Sequence, residues 1–379
     1  MKVLLVNHRF YPAEGGTERW TMGLAQALRR KGTNVTVLTQ QEPGTPDREV
    51  VEGIEVLRIP MWHFGKFRLP QEYWRTLRHL DYDLLHMSGN RIWCADFYFP
   101  VAEILGPPQV ITPHDFYQWA MQPDSRVNQF YFQRYLPSRL RAFDRYLAIN
   151  ERERQRIVSW GYPAERAVTV GEGISLAEFA GKPPPLHLQE RLRNHDRLLA
   201  LYVGGLWENK RVDRLVRALA PVRDSVSLVV IGRDVPDSRY NQAAVARLAE
   251  ELGVEVHFLG SLEREKVVAA YQEADLFLLG SEYEGFGIAL VEAMAAGLPF
   301  VSYAVGAAPE LSRLGGGLVA NDEKGFVDHV RSLVTDEGRR STLRAAATAA
   351  ARSLDWDKVV ERYLSAYQQA LTSRRSSSG

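Results

Sequence analysis

Cysteine is nearly absent. Cys94 is the single one in 379 residues, so an intrachain disulfide is excluded and the fold must rest on its own core. A reducing compartment fits, as does any compartment that tolerates a lone thiol; Cys94 itself reads most simply as a small core residue. Long apolar runs are missing too. No stretch approaches the roughly 20 residues needed to span a bilayer. The apolar run 3–6 is too short for a signal peptide and is followed at once by His8 and Arg9. A cytoplasmic protein is expected, with contact at the inner membrane surface left open. Nor does one sign of charge dominate. Lys and Arg number 47 against 46 Asp and Glu, a net charge of +1, which argues against a general nucleic-acid binder. No Gly-x-Gly-x-x-Gly follows the first apolar run, which argues against a single-sheet dinucleotide oxidoreductase.

What is present is ordinary for a globular chain: 45% hydrophobic and 25% charged residues. Short β-rich runs alternate with helical patterns, the rhythm of a parallel sheet covered on both faces. One series occupies residues 3–149, with strands at 3–6, 35–39, 83–87, 109–112 and 145–149. It breaks at 176–196, where Gly181, Pro183, Pro184 and Pro185 suggest a stiff, structureless linker. A second series follows, with strands at 198–203, 226–231, 254–259, 276–279 and 300–303, and the end is helical. The expected fold is α/β, two doubly wound Rossmann-like domains facing across a cleft. Its expected parts are an N-terminal domain over 1–180, a C-terminal domain over 181–355, a helix over 356–372 crossing back to the first domain, and a disordered tail over 373–379. Open sheets of this kind bind ligands beyond the carboxyl ends of their strands, but architecture alone gives no chemistry.

The sharpest chemical signal is residues 284–299, EGFGIALVEAMAAGLP. It follows a strand and opens a helix. Gly285 and Gly287 allow the backbone close to a ligand, and the free N–H groups of the first helical turn favour anionic or hydroxyl-rich ligands. Glu284 precedes that turn and Glu292 lies one turn inside it. Carboxylates accept from the paired hydroxyls of a sugar or ribose. Either glutamate alone reads as a cap or a surface residue; the whole string does not.

This string resembles the Glu-x7-Glu signature of the family 4 retaining glycosyltransferases, which have the GT-B fold, and Glu284 and Glu292 match its two glutamates. The resemblance runs through most of the chain. Tyr11-Pro12 and Gly15-Gly16-Thr17-Glu18 resemble the glycine-rich loop after the first strand, His114-Asp115 the histidine of the active-site cleft, and Lys210 with Asp213 the donor-phosphate segment. Gly173 to Phe179, Gly306 with Glu310, and Leu354-Asp355-Trp356 with Tyr363 resemble further family segments.

The resemblance implies a hexosyl-type transferase that moves a sugar from a nucleotide-diphosphate sugar to an acceptor hydroxyl, with retention and with neither metal nor cofactor. Glu292 would hold the ribose, Glu284 the sugar, the backbone N–H groups of Phe286, Gly287 and Ile288 the sugar hydroxyls or the diphosphate, and Lys210 the leaving diphosphate. Gly15 and Gly16 would approach the same phosphates, and His114 would lie near the reacting carbon. The implied catalytic set is thus His114, Glu284 and Lys210. Where the family has arginine, however, this chain has Gly205, so a bidentate phosphate clamp is missing; either Arg211 or Arg233 could substitute. Glu172 stands where the family has asparagine, and Gly306-Ala307 where it commonly has a glycine pair.

The acceptor, a carbohydrate, a lipid-linked sugar or a small molecule, is expected on the first domain. Two stretches there mix bases with aromatics, 62–78 and 126–156. Such mixtures suit an anionic membrane or a phosphorylated acceptor, or equally an amphipathic helix with its aromatics packed inward. Two alternatives remain beside the transferase: an epimerase or sugar phosphorylase on the same fold, and a non-catalytic sugar-nucleotide binder.

Overall fold

Runs such as Val3-Leu4-Leu5-Val6 and Leu228-Val229-Val230-Ile231 show no alternation of polar and apolar residues, the pattern of strands covered on both faces, and all eight of these side chains are buried. They lie within two mainly parallel sheets in a computed structural model of the chain. It describes all residues except 14, 65–66, 90–92, 100–101, 103–105, 115–125, 193–196 and 378–379, and only the backbone of 63–64, 67–68, 93, 96 and 374–377. Asp115 of the His114-Asp115 pair therefore lies outside the described residues.

The chain divides into two units, Met1–Gly173 with Trp356–Gly379, and Ile174–Asp355. The strands of the first unit are β1 (Lys2–Val6), β2 (Asn34–Gln40), β3 (Arg48–Val51), β4 (Ile54–Ile59), β5 (Met61–Phe64), β6 (Phe67–Pro70), β7 (Leu84–Ser88), β8 (Gln109–Thr112), β9 (Arg145–Ala148) and β10 (Ala167–Thr169). Eight form one sheet in the order β10-β9-β8-β7-β1-β2-β4-β3, while β5 and β6 make a separate hairpin. Every pair in the large sheet is parallel except β3 with β4.

The second unit has β11 (Leu198–Val203), β12 (Val226–Ile231), β13 (Val256–Gly260), β14 (Leu276–Leu279), β15 (Phe300–Tyr303) and β16 (Gly317–Ala320). Their order is β13-β12-β11-β14-β15-β16, parallel throughout. Strand order reverses between β11 and β14, as it does between β1 and β7 in the first unit. Loops leaving two such strands diverge to opposite faces and open a crevice at the carboxyl edge.

The last helix, Trp356–Ser377, packs in the first unit against the helix Gly16–Arg30. Trp356, Val359, Tyr363 and Tyr367 share a buried cluster with Trp20, Leu24 and Leu28. Gly23 permits the approach: a Cβ there would lie 2.2 Å from the Trp356 indole nitrogen. Trp20 Nε1 donates to the Tyr363 hydroxyl (3.1 Å), which donates to the carbonyl of Gly171 (2.7 Å). His86 is buried between the hydroxyls of Tyr367 (2.6 Å) and Thr112 (2.9 Å).

Three expectations change. The tail from 373 continues the last helix as far as Ser377; the Ser373 hydroxyl bonds back to the carbonyl of Gln369 (2.8 Å) and accepts from Arg145 (3.1 Å). Residues 174–180, assigned above to the first domain, join the second unit: Gln272 Nε2 donates to the carbonyl of Phe179 (3.0 Å) and Ile174 bridges Asp355. In the break at 176–196, residues 181–187 carry no helix or strand, as the prolines suggest, but the helices Leu176–Ala180 and Leu188–Arg191 flank them, the second tied down where the Glu273 carboxylate accepts from the Leu188 N–H (2.8 Å).

The two aromatic and basic stretches divide their side chains. In the helical segment from Arg126 to Leu140, Phe132, Leu136 and Leu140 pack in the core, while Val127 and Phe130 are exposed. Trp62 and Trp74 are exposed as well, whereas Tyr73 is buried and donates to the Cys94 carbonyl (3.0 Å). Cys94 is a core residue. Among the described residues no helix is long and apolar enough to cross a membrane.

Burial, and then the neighbouring His114, pulls the His86 pKa down from 6.5 to about 3. The unfolded chain binds a proton near 6.5 that the folded chain refuses. This contribution to stability is therefore intact above 6.5 and lost as pH falls toward 3. The Tm of the protein should fall more steeply over that range than that of His86→Asn, as measured by thermal melts at a series of pH values; parallel curves would contradict the assignment.

Candidate active site

At the carboxyl end of β11, Gly204 and Gly205 lead into a short 3-10 turn, Glu208–Lys210. At the end of β14, Gly280 and Ser281 lead to Glu284 and the helix Ile288–Ala295. These are the two strands flanking the reversal, and their loops are fastened together. The Glu282 N–H donates to the carbonyl of Asn209 (2.8 Å), and Asn209 Nδ2 to that of Tyr283 (3.2 Å). Gly280 permits the approach, since a Cβ there would lie 2.7 Å from the Arg211 carbonyl oxygen.

Across this join Lys210 Nζ meets both oxygens of Glu284, each at 2.8 Å. The Ser281 hydroxyl donates to the same carboxylate (2.6 Å). Lysine and glutamate are 23% and 11% exposed, so the pair is only partly screened by water. Burial and the nearby Glu284 charge push the Tyr202 phenol well above its ordinary pKa, and its hydroxyl donates to the Gly205 carbonyl (3.0 Å).

The turn behind Glu284 is a glycine structure. Gly287 has φ of 94°, a left-handed conformation that a side chain would strain. Among the described residues no side chain caps the helix that follows, which leaves first-turn N–H groups available to a ligand. The carbonyl of Phe286 is taken by the Ala307 N–H (2.8 Å). Gly306 lies so close that a Cβ would be 2.5 Å from that carbonyl oxygen.

Glu292 is buried within the same helix. Arg264 Nη1 donates to one carboxylate oxygen (2.5 Å) and the Tyr271 hydroxyl to the other (3.0 Å). Arg264 also reaches Glu178 (2.8 Å) and lies over the Phe179 ring. Burial works against its charge, but Glu292 and Glu178 outweigh that and raise its pKa.

Arg211, one of the two candidates for the cation missing at Gly205, is otherwise engaged. Its guanidinium grips Asp213 bidentately (2.9 and 3.0 Å), pairs with Glu282 and lies 4.8 Å from the Tyr240 ring centroid. Asp213, matched above to a donor-phosphate segment, is its carboxylate partner. The Asp213 hydrogen bonds come first among the effects that raise the Arg211 pKa.

In the first unit His114 follows β8 and is buried, with φ of 69°. Non-glycine residues hold this conformation only where their surroundings impose it. Here Ser88 Oγ lies 3.0 Å from Nε2 and Glu172 Oε1 3.4 Å from Nδ1, while Trp20 meets the ring edge-on at 4.3 Å between centroids. Gly15 precedes the helix Gly16–Arg30 with extended backbone, and a Cβ on it would strike the Glu18 carboxylate at 2.4 Å.

Lys210 and Glu284 are thus brought into contact, while Glu292 sits in its own buried network. Sequence reasoning missed Ser281, Asn209, Tyr271, Arg264, Ser88 and Trp20. Ser281, three residues before Glu284 and just past a strand end, carried a readable signal. Asn209 stands next to Lys210 in the chain; the others are joined to the site only by the fold.

Comparison with known proteins places this arrangement. A family model described as Glycosyltransferase Family 4 matches residues 14–178, and one described as Glycosyl transferases group 1 matches residues 186–352. The chain is 29% identical to a D-inositol 3-phosphate glycosyltransferase of Xylanimonas cellulosilytica, over 95% of this chain and 93% of the relative. It is 26% identical to a GDP-mannose:cellobiosyl-diphosphopolyprenol alpha-mannosyltransferase of Xanthomonas campestris, over 99% of each. In fold it resembles a sucrose-phosphate synthase from Thermosynechococcus elongatus, with a TM-score of 0.81 at 20% identity over 98% of this chain and 99% of that one. It also resembles Anabaena HepE solved with UDP and glucose, at 0.75 and 20% over 96% and 98%.

Arg211 has φ of 47°. Alanine there keeps the strain and loses the ion pairs; glycine loses the pairs but relieves the strain. Arg211→Gly should exceed Arg211→Ala in stability by about 1 kcal/mol, measured by urea denaturation. Equal stability would mean that the left-handed turn beside Lys210 is not imposed by the fold.

Proposed function

The chain belongs to the family 4 glycosyltransferases and uses a nucleotide-sugar donor, and we propose that it transfers the sugar to an acceptor hydroxyl with retention and without a metal ion. The Lys210–Glu284 pair at the reversal of the second sheet carries the reading. In the reaction the bond from the anomeric carbon to the diphosphate breaks and a bond to the acceptor oxygen forms. The acceptor's proton passes to the departing phosphate. Negative charge builds on the diphosphate, where a fixed ammonium and helical N–H groups are worth most.

In this reading Lys210 turns from Glu284 toward the diphosphate, and Glu284 is released to a sugar hydroxyl. The N–H groups of Phe286, Gly287 and Ile288 bind the sugar or its phosphate. Glu292, oriented by Arg264 and Tyr271, accepts from the ribose hydroxyls. Gly15 and Gly16 present backbone to the phosphates, and His114 lies by the reacting carbon. The first unit takes the acceptor. Both relatives have phosphorylated acceptors in their names, and we assign an acceptor of that chemistry here, lipid-linked or soluble. The exposed Val127 and Phe130, on a segment that also exposes Arg126 and Arg134, support contact with an anionic membrane surface from the cytoplasmic side.

The test is to supply nucleotide sugars with and without candidate phosphorylated acceptors and to follow the product by NMR. The expected product keeps the donor's anomeric configuration and forms equally in chelator. Donor converted to an epimer without acceptor would establish the epimerase instead. Glu292→Ala should weaken nucleotide binding by about tenfold or more, the loss of a charged hydrogen bond, measured by calorimetry; unchanged affinity would reject its role on the ribose.

A further inference from the structure

Around the second unit's crevice the positive charge is almost entirely spoken for. Lys210 is paired with Glu284, Arg211 with Asp213 and Glu282, and Arg214 with Glu282. Arg264 is paired with Glu292 and Glu178, and Arg239 with Glu208. A diphosphate entering such a site must first break an ion pair, or find a cation that is not already neutralised.

Arg233 is such a cation. It follows β12, the neighbour of β11, at the carboxyl edge of the sheet. It is exposed and, among the described residues, has no carboxylate partner; its guanidinium lies over the Trp207 ring, 5.2 Å from the centroid. The nearby Asp234 is occupied, accepting from the N–H groups of Val235 (2.9 Å) and Gln242 (2.8 Å).

The platform under Arg233 belongs to the loop that carries Lys210. The Lys210 N–H donates to the Trp207 carbonyl (2.9 Å), and the Leu206 N–H to the carbonyl of Arg233 (3.0 Å). The Trp207 indole lies against Gly205, where a Cβ would be 2.8 Å from the ring nitrogen. A side chain at 205 would therefore displace the Trp207 ring from this position. The absence of an arginine there and the presence of a tryptophan-backed arginine on the next strand are two sides of one arrangement. A ring beneath a guanidinium orients its plane and leaves its N–H edge free for an oxyanion.

We propose that Arg233, seated on Trp207, is the arginine that binds the donor's diphosphate. This rests on the donor reading above and names a residue of the same site. The guanidinium adds an unpaired positive charge that the Lys210–Glu284 pair does not supply.

The test is calorimetric binding of UDP, GDP and ADP, with the matching nucleosides, at low and moderate salt. For the diphosphate that the unaltered protein binds best, Arg233→Gln should reduce affinity about tenfold, leave the nucleoside unaffected and flatten the salt dependence. Trp207→Leu should give a smaller loss of the same kind, and Arg233→Lys an intermediate one. Arg233 is exposed, so the Tm of Arg233→Gln should match that of the unaltered protein. Diphosphate affinity and salt dependence unchanged in Arg233→Gln would overturn the proposal while leaving the donor reading intact. Binding of none of the three diphosphates by the unaltered protein would overturn both.

Discussion

The Lys210–Glu284 ion pair is the constraint around which the second unit is organised. It exists because two loops leave neighbouring strands at the one place where strand order reverses. An isolated lysine and glutamate on a surface would gain little from each other. Here both are largely covered, Ser281 shares the carboxylate, and Asn209 pins the lysine's loop to the glutamate's. The backbone join holds the two loops together before any ligand arrives, so that binding has only the side chains of Lys210 and Glu284 to rearrange.

The remaining charges follow the same logic of compensation. Glu292 is buried, which would be costly for a lone carboxylate, and Arg264 and Tyr271 supply its partners. Arg211, in a left-handed turn, is met by the carboxylates of Asp213 and Glu282. The consequence is a site rich in charge but nearly balanced, in which an incoming anion redistributes existing pairs. Arg233 stands outside that balance, which is why its place over Trp207 has consequences for binding.

The sequence revealed the sheets well. Continuous apolar runs gave ten strands within two residues of their observed ends, because strands buried on both faces carry the plainest pattern. It did not reveal β3, β4, β5, β6, β10 or β16, most of which are short, lie toward sheet edges or stand apart from the two large sheets. The prolines of the linker marked a stretch without regular structure correctly, but the short helices on either side of it were not legible, nor that Glu273 and Gln272 bind its backbone. In the site, the glutamates were legible from one contiguous string. Arg264 and Tyr271 were not, since they come from a different helix and meet Glu292 only through the fold. Arg211, expected beside Lys210 as a phosphate ligand, is paired with Asp213, two residues on in the same string, and with Glu282, which only the fold brings to it.

The most direct check of the central claim is the coupling between Lys210 and Glu284 in turnover. Lys210→Gln, Glu284→Gln and the double variant would be compared with the unaltered enzyme on one donor and acceptor. If the two side chains act as a unit, the double variant will lose little more than the worse single one. If instead the two losses multiply, the residues act independently, and the account of a shared, preformed site is contradicted.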